Sequence, residues 1–126
     1  QRLHDPALSL ELAQRYMLAL TRMEMVDGDL LRVLAAYNAG PGNVARWQPA
    51  ARHRADPLLY VESIPIEETR QYVQRVLAYS WIYASRLRLP SASLEALARG
   101  AFPRFPSPEE VAATLTRGGR VRTAER

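Results

Sequence analysis

The sequence predicts an all-α protein, and three observations carry that expectation. Apolar residues recur at spacings of three and four over long stretches. No run alternates apolar and polar residues as a half-buried strand would. The stretches are separated by helix-end punctuation: Asp-Pro at 5–6, Asp-Gly at 27–28, Gly-Pro-Gly at 40–42, Pro90, and Ser-Pro-Glu-Glu at 107–110.

Asp5 reads as the cap of a first helix, with Pro6 at the first position, where its missing N–H costs nothing. Leu10, Ala13, Met17 and Leu20 share one face, with Leu12, Tyr16 and Met23 beside them. That spacing predicts a helix over about 6–26, closed where Gly28 takes a left-handed conformation. Asp29 caps a second helix over 29–39. Its Leu30, Leu31, Val33, Leu34 and Tyr37 leave it apolar on nearly every side, so it is expected to be buried. Gly40-Pro41-Gly42 stops it, and a short helix is expected from Pro41 or Asn43 to Trp47. Residues 48–60, QPAARHRADPLLY, read as a loop on their prolines and charges.

The third long helix is expected over 67–88, with Tyr72, Val73, Val76, Leu77, Tyr83 and Leu87 as its apolar ladder and Trp81 toward another side. Glu67 and Glu68 in its first turn complement the positive helix N-terminus. Pro90 ends it. A short helix over 93–99 follows, and a capping box of Ser107 and Glu110 opens a last one over 107–117. The basic tail from Gly118 is expected to be loose.

The 126 residues suit a single domain, and 48% apolar residues are enough to fill one core. No apolar stretch reaches bilayer length, because Gln74, Arg75, Ser80, Arg86 and Arg88 interrupt the most apolar segment. The chain is therefore expected to be soluble, with no transmembrane segment. It opens on Gln1 without a basic-then-apolar leader, so no export signal is expected within it. A net charge of +4 favours polyanions, and nucleic acid, anionic lipid and peptidoglycan with its peptide carboxylates all qualify, so the charge alone selects none of them. Acids and bases are intermixed, which argues against a dedicated nucleic-acid face.

Several chemistries are excluded. Without cysteine there is no disulfide, thiolate metal site or thiol nucleophile. His4 and His53 lie in terminal and loop contexts unsuited to a catalytic base, and no histidine pair or convergent acid cluster suggests a metal. Gly-Pro-Gly lacks the lysine and hydroxyl of a phosphate loop. No cofactor is expected. Carboxylates remain: Glu62, Glu67 and Glu68 cluster around Ile64-Pro65. Glu67 reads as helix-end electrostatics, while Glu68 stands as a separate candidate. Taken alone, Tyr37 reads as a core aromatic, Asn38 as a helix-ending residue and Trp47 as a lid on the core.

The combination alters that reading. AAYNAGPGNVARW at 35–47, followed by YVESIPIEETRQYVQRVLAY at 60–79, resembles the soluble lytic transglycosylases of the goose-lysozyme-like superfamily. The leading DPALSLELAQRYM at 5–17 is similar to a further segment of that family, so the resemblance covers roughly residues 5–85. It implies a lysozyme-like helical domain in the bacterial periplasm or cell envelope. The implied activity cleaves peptidoglycan between N-acetylmuramic acid and N-acetylglucosamine, with closure of a 1,6-anhydro ring. In the family one glutamate, its pKa raised by partial burial, acts as acid and then as base; the nucleophile is the substrate's own 6-hydroxyl. Tyr37 matches the tyrosine that orients that glutamate, and Asn38 the asparagine beside it. Glu68 matches the acid that lines the saccharide groove, and Tyr72 a groove or core aromatic.

Four departures stand out. Ser9 and Ala13 replace the usual asparagine and glycine, and Ile66 replaces phenylalanine. The fourth is larger: the family's catalytic Glu-Ser pair and its glutamine-bearing segment precede the Asp-Pro block and do not occur here. Glu62-Ser63 belongs to the later motif. The expectation is one wall of a cleft without its acid, so the isolated chain should be inactive. Residues 1–89 would be the C-terminal part of the catalytic domain and 90–126 a helical extension with a basic tail. Such a fragment should expose apolar surface and self-associate, or pair with a missing N-terminal segment. The alternative is a non-catalytic peptidoglycan-binding or structural helical module.

Overall fold

The computed structural model describes residues 5–47, 56–113 and 116–117. They form α1 (Pro6–Thr21), α2 (Leu30–Ala39), α3 (Pro41–Trp47), α4 (Pro57–Glu62), α5 (Glu67–Arg86) and α6 (Ala92–Ala98). The chain is helical again at 108–113. Among the described residues there is no strand, only an isolated bridge between Asp29 and Arg104. No helix among them is long and apolar enough to cross a membrane.

Asp5 caps α1, accepting from the Ala7 N–H at 3.0 Å. The helix stops at Thr21, five residues short of the expected 26. Thr21 donates its hydroxyl to the Leu18 carbonyl at 2.6 Å, and its own carbonyl accepts from Gly28 N–H at 2.9 Å. The intervening residues fold back as turns that bury Val26. Asp27 and Gly28 close them with φ of 46° and 69°. The positive φ is what favours glycine at 28; a Cβ there would also lie 2.5 Å from the Arg104 guanidinium and push that side-chain end aside.

The expected burial of α2 is observed. Leu31, Val33, Leu34, Ala35 and Ala36 are all buried, and the two alanines let neighbouring helices approach closely. α2 packs on α1, α3 and α5, within one cluster that includes Leu20, Val44, Val73 and Leu77.

Three further expectations are corrected. Residues 57–60 belong to α4, not to a loop. Asp56-Pro57 repeats the Asp-Pro start of α1, with Asp56 accepting from Leu58 N–H at 2.9 Å and Leu59 N–H at 3.3 Å. The rest of the expected loop, 48–55, lies outside the described residues, as does the tail from Gly118. α5 turns only the first part of its expected apolar ladder inward and adds Thr69 to it. Thr69, Val73 and Leu77 are buried, Tyr72 and Val76 only half-buried, and Tyr83 and Leu87 exposed. Further along, Trp81 is half-buried against the core and donates to Ser93 Oγ at 2.9 Å. Finally, Leu10 and Leu12 of α1 are exposed, so α1 docks through Met17 and Leu20 near its C-terminal end.

Chain beyond α6 returns to the start of α2. Pro103 carbonyl accepts from Leu30 N–H at 2.9 Å, and Phe105 N–H donates to Gly28 carbonyl at 2.8 Å. Under this strap Asp29, 4% exposed, accepts from Arg32 N–H at 3.1 Å and Arg32 Nη1 at 2.7 Å. The Arg32 guanidinium lies 4.6 Å from the Tyr60 ring centre and 5.3 Å from that of Phe102. Burial pushes the Asp29 carboxyl up against the opposing influence of Arg32. Burial also pushes the Tyr60 phenol up to about 12. The expected capping box is reciprocal: Ser107 Oγ accepts from Glu110 N–H at 3.1 Å, and Glu110 Oε2 from Ser107 N–H at 2.8 Å.

Candidate functional site

The site residues gather where α2 ends. Gly40 breaks the helix with a φ of 92°, and its N–H donates to the Ala36 carbonyl at 2.8 Å. Asn43 Nδ2 donates to the Ala39 carbonyl at 2.6 Å, so the turn supplies a side-chain donor to the final carbonyl of α2. Pro41 starts α3 at once. The Gly-Pro-Gly turn thus ends a buried helix within two residues of Tyr37 and Asn38.

Tyr37 is not a core aromatic. It is 37% exposed, at the end of a helix whose preceding residues are sealed inside. Its ring stacks on Tyr72 of α5, centroids 6.4 Å apart and planes at 17°. On another side Tyr16 of α1 approaches to 5.9 Å at 48°. Three helices therefore contribute one phenol each to a single aromatic cluster. Partial burial pushes the Tyr72 phenol up, and the neighbouring Tyr37 adds to the shift.

Asn38 faces a different partner. Its Oδ1 accepts from the hydroxyl of Thr69, a residue 1% exposed, at 2.7 Å. Arg70 donates to the Ile64 carbonyl at 3.0 Å and clips the turn ahead of α5. Within Glu68-Thr69-Arg70, then, the threonine and arginine are committed to the protein, while Glu68 is exposed. Glu68 and Tyr72 are four residues apart on α5 and so share a face. Glu67 accepts from Gln71 one turn on, at 3.2 Å, as a helix-end acid would. Glu62 accepts from Gln74 at 3.3 Å.

The structure thus brings Tyr37 and Tyr72 into contact and ties Asn38 to the neighbour of Glu68. Two participants escaped the sequence reading. Tyr16 sat on the flank of α1's apolar stripe, and nothing in its spacing pairs it with Tyr37. Thr69 is a polar residue in an exposed-looking first turn, and the available signal was only its place inside Glu-Thr-Arg. Among the described residues no group of three His, Asp or Glu side chains converges as a metal site would require. The arrangement can stack a pyranose face on exposed phenol rings and accept hydrogen bonds from hydroxyl or amide groups at Glu68.

A family profile described as "Transglycosylase SLT domain" matches residues 1–59. A second, "Soluble lytic transglycosylase helical domain", matches residues 63–91. The soluble lytic murein transglycosylases of Escherichia coli (strain K12) and Salmonella typhimurium are each 55% identical to this chain over 49 residues, 39% of this chain and 8% of theirs. A relative from Haemophilus influenzae is 45% identical over 51 residues, 40% of this chain and 9% of its own. The chain matches only a small part of the length of these relatives. No solved structure matches it.

Proposed function

We propose, on the premise that the chain carries a fragment of a transglycosylase SLT domain, that it forms one wall of the saccharide groove of a peptidoglycan lytic transglycosylase. One observation carries the reading. The two motif-bearing segments, 35–47 and 60–79, meet through Tyr37 on Tyr72 and Asn38 on Thr69, beside an exposed Glu68.

The reaction needs a carboxyl group that another part of the protein supplies. Its proton passes to the glycosidic oxygen, and the N-acetylglucosamine leaves with a free 4-hydroxyl. The carboxylate then takes the proton of the muramic acid 6-hydroxyl as that oxygen attacks C1. The ring closes without water, and the carboxyl ends protonated. Tyr37, held between two other rings at the groove rim, orients that carboxyl through its hydroxyl. Asn38 shapes the floor beside it. Glu68 accepts hydrogen bonds from sugar hydroxyl or N-acetyl N–H groups, and Tyr72 lends its ring to the same face.

Residues 1–89 are the catalytic-domain part and 90–126 the extension. The apolar side chains exposed on α1 and α5, Leu10, Leu12, Tyr79 and Tyr83 among them, are where the acid-bearing segment packs or where two copies associate. The working place of such an enzyme is the periplasm or cell envelope, where its polymer lies.

Titrating N-acetylglucosamine oligomers into the 126-residue chain, followed by NMR, tests the wall. Signals of Tyr37, Tyr72 and Glu68 should shift together, and Glu68→Ala should weaken binding about tenfold, as losing a charged hydrogen-bond acceptor does. Equal affinity in the variant, or no shift at these residues, would refute the assignment.

A further inference from the structure

The two motif segments meet at two points one helical turn apart. Tyr37 and Asn38 are adjacent on α2, and their partners, Tyr72 and Thr69, are three apart on α5. A single contact would leave α2 able to pivot against α5. Two contacts fix both its slide and its rotation.

Thr69 is unusual in this chain for where its hydroxyl goes. The hydroxyls of Thr21, Ser63 and Ser80 turn back to the carbonyls of Leu18, Tyr60 and Leu77 in their own helices, the common habit of helical serine and threonine. Thr69 donates instead to a side chain 31 residues away. Buried at 1% exposure, its hydroxyl has no access to water as a substitute partner. The bond joins the residue after Tyr37 to the residue after Glu68.

We infer that Thr69 is a positioning residue for the candidate site: its hydroxyl, through Asn38, sets the separation of Tyr37 from Glu68. The inference rests on the groove-wall reading for its catalytic consequence, but not for its structural one. A reacting geometry is sensitive to shifts of about an ångström, which can cost as much as a hundredfold in rate. Removing a hydroxyl that touches no substrate should therefore reach turnover.

The test compares Thr69→Ser with Thr69→Ala, which differ only in the hydroxyl, and adds Thr69→Val, which keeps the bulk. In the 126-residue chain, NMR follows the Asn38 side-chain amide and the Tyr37 ring. Both should move in the Ala and Val variants and stay near wild type in the Ser variant. In a longer protein that includes this chain and a complete SLT domain, the Ala and Val variants should lower kcat about tenfold or more with KM changed less than about twofold. The Ser variant should restore kcat to within about twofold of wild type. Should Thr69→Val fail to fold, the Ser and Ala pair still isolates the hydroxyl. Unmoved Asn38 and Tyr37 signals in Thr69→Ala would overturn the inference, as would Ser and Ala variants with equal kcat. If the longer wild-type protein releases no anhydro product, the groove-wall reading fails, while the NMR comparison still decides whether Thr69 sets this geometry.

Discussion

Phe102→Leu is the sharpest probe of how the strap holds the start of α2. Leucine keeps most of the bulk, so the packing change alone should cost less than about 1.5 kcal/mol. What is lost is the ring. The Arg32 guanidinium sits 5.3 Å from its centre, and a partly desolvated cation–π contact contributes about 0.5–2 kcal/mol. Tyr60 meets the same ring edge-on with centroids 6.4 Å apart, which adds about 0.5–1.5 kcal/mol. Arg32 retains Tyr60 and Asp29, so the contacts are not all forfeited, and a total near 2–3 kcal/mol is expected. Urea unfolding followed by tryptophan fluorescence reads it as a lower midpoint with an unchanged slope. The Tyr60 phenol should also titrate below its value of about 12 once water reaches it. A cost under about 0.5 kcal/mol, with the Tyr60 titration unmoved, would mean that the strap does not hold α2.

Arg32→Met should be costlier, about 3–5 kcal/mol at neutral pH, because it leaves the Asp29 carboxylate buried and unpaired. Burial already raises the Asp29 pKa above 3.8, and removing Arg32 raises it further. A raised carboxyl pKa favours the folded state at low pH and loses that contribution as pH rises, so the deficit against wild type should shrink on acidification toward pH 4. A deficit that grows would contradict the pairing. Tyr60 makes an alkaline prediction: its phenol ionises near 10 when unfolded and near 12 when folded. Stability should fall by about 2–3 kcal/mol as pH rises from 10 to 12, visible as alkaline unfolding coupled to tyrosinate absorbance. Asp56→Ala should cost about 1 kcal/mol and fray α4 in hydrogen exchange; unchanged protection there would remove Asp56 as its cap.

Local grammar was legible in the sequence wherever one residue type acts on its own neighbours. Asp5, Asp29 and the Ser107–Glu110 box all cap as expected, and Gly28 and Gly40 take the conformations that only glycine adopts freely. The same grammar at Asp56-Pro57 was hidden by the prolines and charges around it. Tertiary choices were less legible. α5 has apolar residues on more than one side: spacing placed Val73 and Leu77 inward, as observed, but could not say that Thr69 joins them while Tyr83 stays out. The fate of Thr69 depends on a partner 31 residues away. For the site, the motif resemblance singled out Tyr37, Asn38, Glu68 and Tyr72. Only the packing of α2 against α1 and α5 reveals that Tyr16 completes the aromatic cluster and that Asn38 bonds to a threonine.

Product analysis separates anhydro-ring closure from hydrolysis. Purified sacculi would be digested by a longer protein in which this chain forms part of a complete SLT domain, and the released muropeptides weighed. Fragments ending in 1,6-anhydro-N-acetylmuramic acid are expected, one water lighter than hydrolysis products, with their release falling about tenfold or more with Tyr37→Phe. Reducing-end sugars, or no release at all, would contradict the proposed function.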